Sequence, residues 1–289
     1  MIDILVLNYN DVDTTIQFVK SVRDYSSVRY VLIVDNCSTD SSYEKLKLIL
    51  SKKISIVRTS KNGGYGYGNN FGIRYLYDNY KSEYILLCNP DVIVTENVCK
   101  ELEDFLKSNH DYAIAAPLML NPKGEIQNHS AFKIPTKWEY IFSMSIFLKK
   151  CVISFDCGNT YGKGKEDFCE VGAVAGSLFL MDTQKMIRYG MYDENIFLFC
   201  EEVVLGIKMK KNHQKIALLP NLYFIHNHST SISKSYKSSF KRHKLLLKSK
   251  LYVIRHYFST CFVDNVVACC VGVLSFVELF LVEMKNKAR

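Results

Sequence analysis

The chain opens on a short apolar run, "IDILVLNYN", that stops at polar residues. Between Asp13 and Tyr25, Ile16, Val19 and Val22 then recur at helical spacing. A second apolar run, "RYVLIVDN", precedes Ser41 to Leu50, where Leu46, Ile49 and Leu50 share one helical face. "ISIVRT" reads as a third strand, Asn70 to Tyr80 as a helix and "EYILLCN" as a fourth strand. Runs that are apolar throughout, joined by helices, predict a parallel sheet covered on both faces. From about Ala113 the pattern loosens. "AIAAPLML" and "VGAVAGSLFLMD" still predict strands, and "LPNLYFIHNHSTS" ends a late apolar run at His226 and His228. Residues 121–170 have weak periodicity and read as a variable insertion.

The polar residues that punctuate this pattern carry its chemistry. Asn8 with Asn10, Asp35 with Asn36, Asn62 to Gly64, and Asn89 to Asp91 all fall just past a strand's C-terminal end. In parallel α/β sheets ligands bind beyond those ends. Each cluster alone is compatible with a turn or a helix cap, but together they point to a shared ligand site. Asp35 and Asn36 offer a carboxylate and an amide suited to the edge of a base or a ribose. "KNGGYGYGNNFGI" precedes a helix and lets backbone N–H groups approach a phosphate, although it is neither a G-x-G-x-x-G nor a Walker loop. Asp91 supplies a hard oxygen. Mg2+ or Mn2+ on a nucleotide diphosphate needs few protein ligands, because phosphates and water fill the other positions. In "FLFCEEVVLG", Glu201 and Glu202 are framed by apolar residues. Burial there would raise a carboxyl pKa towards the range of a general base, and adjacent helical positions point apart, so the two acids have different tasks.

Composition changes the picture at three points. With 48% hydrophobic and 23% charged residues in 289, the chain folds rather than staying disordered, and it suits one large α/β unit with an appendage. The formal net charge of +8 favours a phosphate-bearing partner. No nucleic-acid-binding signature is present, and the basic residues concentrate in "KSYKSSFKRHKLLLKSK" (234–250), ahead of an apolar tail, which favours an anionic membrane surface. The ten cysteines form no C-x-x-C pair, and no basic region precedes the first apolar run. Both features predict reduced thiols and a cytoplasmic protein.

Taken in order, these parts resemble the family 2 glycosyltransferases of the GT-A fold, in particular their rhamnosyltransferase-like branch. The matching elements are "LNYN" (7–10), Val34, Asp35, Asn36, Ser38, Asp40 and Ser41, and then Asn62, Gly64, Tyr65, Gly68, Asn70 and Gly72. Asn89, Pro90 and Asp91 follow, then Gly172, Gly176 and Leu180, then Gly190, Met191, Asp193, Glu194, Phe197 and Glu201, and last Pro220, His226 and Ser231. The resemblance implies an α/β GT-A fold: a Rossmann-like, mostly parallel central sheet with helices on both faces, plus a C-terminal helical extension. Residues 1–232 would form the glycosyltransferase domain, with a nucleotide-sugar-binding half (1–112) and an acceptor and catalytic half (113–232), and 233–289 a helical tail.

The implied activity is inverting transfer of a sugar from a dTDP- or UDP-activated donor, dTDP-rhamnose first among them. The implied acceptor is a saccharide, lipid-linked, in bacterial surface polysaccharide synthesis. Asn8, Asn10, Asp35, Asn36, Asn62, Gly64, Asn70, Asn89, Asp91 and Gly176 would bind the donor. Asp91 and His226 would hold Mg2+ or Mn2+, and Glu202, with Glu201 beside it, would deprotonate the acceptor. The sequence departs from the family pattern where Glu202 stands for Asp and Val204 for a second acid. A nucleotidyltransferase and a silent nucleotide-sugar-binding protein are the rival classes. In the tail, "VVACCVGVLSFVELFLV" (266–282), interrupted by Glu278, is short of the roughly 20 apolar residues of a comfortable span. It is expected either to pack on the domain or to lie peripherally on the inner face of the cell membrane.

Overall fold

The computed structural model describes residues 1–152, 156–161, 166–227 and 238–287. His228, Ser231 and the first basic residues of the tail, Lys234 and Lys237, lie outside the described residues. The first hundred residues follow the predicted alternation: β1 (Ile2–Asn8), α1 (Val12–Val22), β2 (Val28–Asp35), α2 (Ser42–Leu46), β3 (Ile54–Arg58), α3 (Tyr65–Tyr80) and β4 (Tyr84–Cys88). β1 pairs in parallel with β2 and β4, and β2 with β3. Successive residues point to opposite faces. Ile2, Ile4 and Val6 therefore join a core with α1 on one side of the sheet, while Leu5 joins Ile73 and Leu76 of α3 on the other.

The second half mixes parallel and antiparallel pairs. After β5 (Val92–Ile93) and α4 (Glu96–Ser108) come β6 (Tyr112–Leu120), β7 (Ala131–Phe132), α5 (Lys137–Phe142) and the one-turn α6 (Gly158–Tyr161). β8 (Cys169–Val171), β9 (Ala173–Val174), β10 (Leu178–Asp182), α7 (Thr183–Lys185), α8 (Glu201–Lys211) and β11 (Lys215–His226) complete this half. β6 and β11 pair in parallel, while β5, β8 and β10 join antiparallel. The main sheet runs β3-β2-β1-β4-β10-β6-β11-β5, with β8 on β11. β10 enters antiparallel between β4 and β6, so its first residues meet the end of β4. The end of β11 meets β5, pairing His226 with Val92. One sheet edge thus collects the ends of β1, β2, β3, β4, β6 and β11 and the start of β10.

Two expectations are corrected here. α3 begins at Tyr65, not Asn70, so Gly66, Gly68 and Gly72 lie inside it. A Cβ on Gly68 would stand 2.5 Å from Leu7, and one on Gly72 2.3 Å from Leu5, so these two glycines let α3 press on β1. The tail is also longer than its apolar pattern. After α9 (Ser239–Tyr257), α10 runs from Phe262 to Lys287, and Phe262–Lys285 is long and apolar enough, by length and composition, to cross a membrane. Both tail helices join α5 and α8 in a third core that includes Tyr140, Ile141, Val203, Val204, Leu247 and Val253.

Candidate active site

At the ends of β1 and β2 the amides and carboxylate are largely bonded to one another. Asp35, fully buried, accepts from Asn8 Nδ2 at 2.9 Å and Ser38 N at 3.0 Å and pairs with Arg58 Nε at 3.3 Å. Asn8 Oδ1 in turn accepts from Thr15 Oγ1 at 2.8 Å. Asn36 donates to Asn62 Oδ1 at 3.1 Å and the Gly64 carbonyl at 3.0 Å, and accepts from Thr59 Oγ1 at 3.1 Å. Asn10, with positive φ of 52°, exchanges bonds with Thr39. Asn8 and Asn36 thus shape the loops, whereas Asn10 and Asn62 are only half-buried on the rim.

Gly64, with φ 95°, starts α3, and a Cβ there would stand 2.1 Å from the Phe197 carbonyl, so only glycine fits. Asn70 is placed differently from the strand-end groups. Its amide is taken up by the Tyr192 backbone, at 3.0 and 2.9 Å, and by Glu194 at 2.9 Å, so it clasps the loop leading to the acid pair.

At the end of β4, Asn89 N donates to the Ser177 carbonyl at 2.8 Å. Asp91 Oδ1 lies 3.1 Å from His226 Nε2, and each side chain keeps 10% of its surface exposed. The β5–β11 pairing and a bond from Asn227 N to the Asp91 carbonyl hold them together. No cluster of three or more His, Cys, Asp and Glu side chains able to hold a metal occurs among the described residues. A carboxylate and an imidazole at an accessible strand end fit a divalent cation whose remaining ligands come from a phosphate-bearing ligand.

The acid pair opens α8 after two consecutive residues in the left-handed region, Phe199 (φ 73°) and Cys200 (φ 74°). Such conformations are costly for non-glycine residues and persist where surroundings impose them. Glu201 is 5% exposed, and its Oε1 finds no partner among the described residues. Burial and the Glu202 charge push its carboxyl well above the ordinary range. Glu202 is half-buried; burial raises it too, against backbone N–H groups of its own residue and Gly176 that donate to it. A Cβ on Gly176 would stand 3.2 Å from Glu202 Oε1 and 3.2 Å from Tyr65 Oη, and Tyr65 donates to the Gly176 carbonyl at 2.5 Å. Because Gly176 precedes Ser177, the Glu202 carboxylate is two backbone links from the Asn89–Asp91 turn.

Several supporting groups escaped the sequence reading. Arg58 ends β3 just as Asp35 ends β2, a cue of the same kind that could have been used. Tyr65 and Tyr192, edge-on with centroids 5.6 Å apart, wall the acid pair. Tyr252 and Tyr257 donate to Asp193 at 3.0 and 2.7 Å, and Ser249 to the Leu198 carbonyl at 2.7 Å. These bonds from α9 link parts distant in sequence and leave no local pattern.

A doubly covered α/β sheet with a polar strand-end edge, an Asp–His pair and an acid-headed helix defines a GT-A type fold. The glycosyl transferase family 2 model matches residues 3–162, more than half of the 289, and the chain belongs to that family. Similar proteins include rhamnosyltransferase WbbL of Escherichia coli K12, 23% identical over 167 residues, covering 56% of this chain and 60% of that one. The low-salt glycan biosynthesis hexosyltransferase Agl10 of Haloferax volcanii is 26% identical over 227 residues, covering 78% and 67%. Among solved structures, GalNAc-T7 with UDP, GalNAc and Mn2+ superposes with a TM-score of 0.62 at 14% identity, covering 88% of this chain but 47% of that one. The mannosyltransferase PcManGT from Pyrobaculum calidifontis, in complex with GDP-Man and Mn2+, gives 0.57 at 10% identity, covering 94% and 69%. At these identities the structures speak for the fold alone.

Proposed function

We propose that the chain is an inverting glycosyltransferase that moves a sugar from a nucleoside diphosphate donor, dTDP-rhamnose or a UDP-sugar, to a saccharide acceptor. Residues 1–112 form the donor half and 113–232 the acceptor half. The observation that carries this reading is the Glu202 carboxylate, which lies beside Gly176 and so next to the Asn89–Asp91 turn. Its raised pKa suits a group that must accept a proton near neutrality.

The acceptor hydroxyl gives its proton to Glu202 while its oxygen attacks the anomeric carbon. The bond to the nucleoside diphosphate breaks on the opposite face, so the configuration inverts. Asp91 and His226 would hold Mg2+ or Mn2+, which supplies positive charge to the departing diphosphate. Asp35, with Arg58 beside it, stands where the base or ribose would be read, and Asn10 and Asn62 form the rim of that pocket. Val204, where the family pattern has a second acid, is buried in the third core with the tail. A valine there serves packing, and the departure keeps the rival of a silent binding protein open to the test below. A lipid-linked acceptor would put the enzyme at the cytoplasmic face of a membrane, in keeping with the basic and apolar tail.

Release of nucleoside diphosphate from a panel of donors, with and without chelator, tests this reading. Turnover is expected with one donor, lost in chelator and restored by Mg2+ or Mn2+. Asp91→Asn should lower it steeply, since little else in the protein would hold the cation. Near-normal turnover of Asp91→Asn in chelator would sink the metal assignment, and absence of turnover with every donor would favour the binding-protein rival.

A further inference from the structure

α10 has the polarity of an ordinary surface helix turned inside out. Asp264, Ser275 and Glu278 face the protein. Glu278, 1% exposed, accepts from Ser145 Oγ at 2.5 Å, Ile146 N at 2.6 Å and Phe147 N at 3.4 Å. Asp264, 5% exposed, pairs with Lys137 at 2.7 Å, and Ser275, fully buried, bonds His243 at 2.9 Å. The opposite side is apolar and open to solvent: Val263, Val266, Val273, Val277, Phe280 and Met284 recur at steps of three, four or seven residues, which keep to one helical face, and are between 44% and 66% exposed. From Val263 to Met284 this stripe extends about 32 Å along the helix.

Isolated exposed apolar residues need no explanation, but a contiguous stripe does. Protein interfaces use polar rims and directional bonds to fix register, and this stripe offers none. A fluid hydrocarbon layer requires none. The flanks supply the matching charge. Lys149 and Lys150 follow the exposed Ile146 and Phe147, and Lys241, Lys244 and Lys248 are exposed on α9.

We propose that the outward side of α10 inserts into the interfacial layer of an anionic bilayer and lies parallel to its surface. This inference rests on the membrane-side reading above and names the face and its orientation. The alternative of spanning would require Asp264 and Glu278 to leave their partners and enter hydrocarbon, which is costly. Their bonds hold the helix along the protein, with only the opposite side free to enter lipid to the shallow depth typical of interfacial helices.

The chain has a single tryptophan, Trp138, 42% exposed on α5 beside the Lys137–Asp264 pair. Purified full-length protein is mixed with vesicles of phosphatidylcholine, with or without phosphatidylglycerol, some carrying brominated acyl chains. Flotation, Trp138 emission and donor turnover are then measured for wild type and for the triple variant Val273→Ser, Val277→Ser, Phe280→Ser. The expected result is flotation favouring anionic vesicles, with a blue shift and quenching by bromolipid. The triple variant should float about tenfold less or worse, because each exposed apolar side chain contributes separately to partitioning.

Salt-sensitive flotation without quenching, unchanged in the triple variant, would mean that the basic helix alone binds, and would overturn the proposal. A concentration-dependent dimer abolished by the triple variant, with no flotation, would assign the stripe to a second copy instead. Carbonate-resistant membrane extraction of the expressed protein would show spanning and overturn the in-plane orientation. Donor turnover separates the layers: normal turnover without flotation defeats this inference alone, and flotation without turnover defeats only the transferase reading.

Discussion

Two adjacent acids in one turn of helix face different surroundings, and the proposed tasks follow that difference. Glu202 lies beside Gly176 at the site edge, whereas Glu201 is turned into the protein and its Oε1 finds no partner among the described residues. Glu202→Gln is expected to lower kcat by about 10²–10⁴-fold with donor affinity unchanged. It should also abolish an acid limb in kcat/KM lying above the ordinary glutamate value of 4.5. Activity retained in that variant and lost in Glu201→Gln would exchange the roles. Glu201 makes a separate prediction about stability. Its carboxyl is raised on folding, so the native state binds the proton more tightly, and stability from this group is full below 4.5 and falls as pH rises. Glutamine has no proton to lose. Glu201→Gln should therefore match wild type in Tm at about pH 4 and exceed it increasingly towards about pH 8. Thermal unfolding across that range decides; a constant difference would show that ionisation of Glu201 is not involved.

At the scale of elements, the turn before α8 is where fold and chemistry meet. Phe199 and Cys200 hold left-handed conformations that nothing in their own side chains favours, so neighbours must impose them. Tyr65 N bonds the Phe197 carbonyl at 3.0 Å, Ser249 bonds that of Leu198, and Tyr252 and Tyr257 grip Asp193. Burial would raise the Asp193 carboxyl, yet hydrogen bonds from Asn195, Tyr257 and Tyr252 outweigh it and leave the group below its ordinary value.

Removing the grip should let Glu202 wander. The double variant Tyr252→Phe, Tyr257→Phe, combined with Ser249→Ala, is expected to lower kcat about tenfold or more with donor KM nearly unchanged, since small misplacements of a catalytic group are costly. An equal loss in kcat and in nucleotide binding would mean general unfolding. The strand-end residues Asp35, Asn89 and Asp91 were legible because each follows an unbroken apolar run, a local signal. The α9 contacts were not, because a tyrosine in a basic helix reads the same whether or not its hydroxyl finds an aspartate 64 residues away. The glycine-rich segment is ambiguous for a related reason. Close helix–strand packing and phosphate binding call for the same residue, and only the partner, Leu5 or Leu7, tells them apart.

Across the whole molecule, the cores divide differently from the sequence pattern. The two clusters flanking the sheet contain no residue of α9 or α10, while the third unites α5, from the stretch read as a variable insertion, with α8 and both tail helices. The strand-end edge is therefore built without the tail, and α8, which carries the proposed base, is built with it. Fully burying a large aliphatic side chain contributes roughly 1.5–3 kcal/mol, and α9 places Leu247, Val253 and Ile254 in this core. A chain ending after residue 237 would uncover Val203, Val204 and Ile141 and release the turn that aims Glu202. It should still bind nucleoside diphosphate, measured by calorimetry, but lose turnover by an amount comparable to Glu202→Gln. A chain ending after Tyr257 keeps the Asp193 and Leu198 bonds and loses only α10. It should retain most of its turnover in solution with a lowered Tm, because Ala268, Val271 and the Glu278 bonds go with that helix. If both truncations lose nucleotide binding together, the sheet and the tail fold as one unit and the division fails. If the shorter chain keeps full turnover, α9 has no part in setting the base.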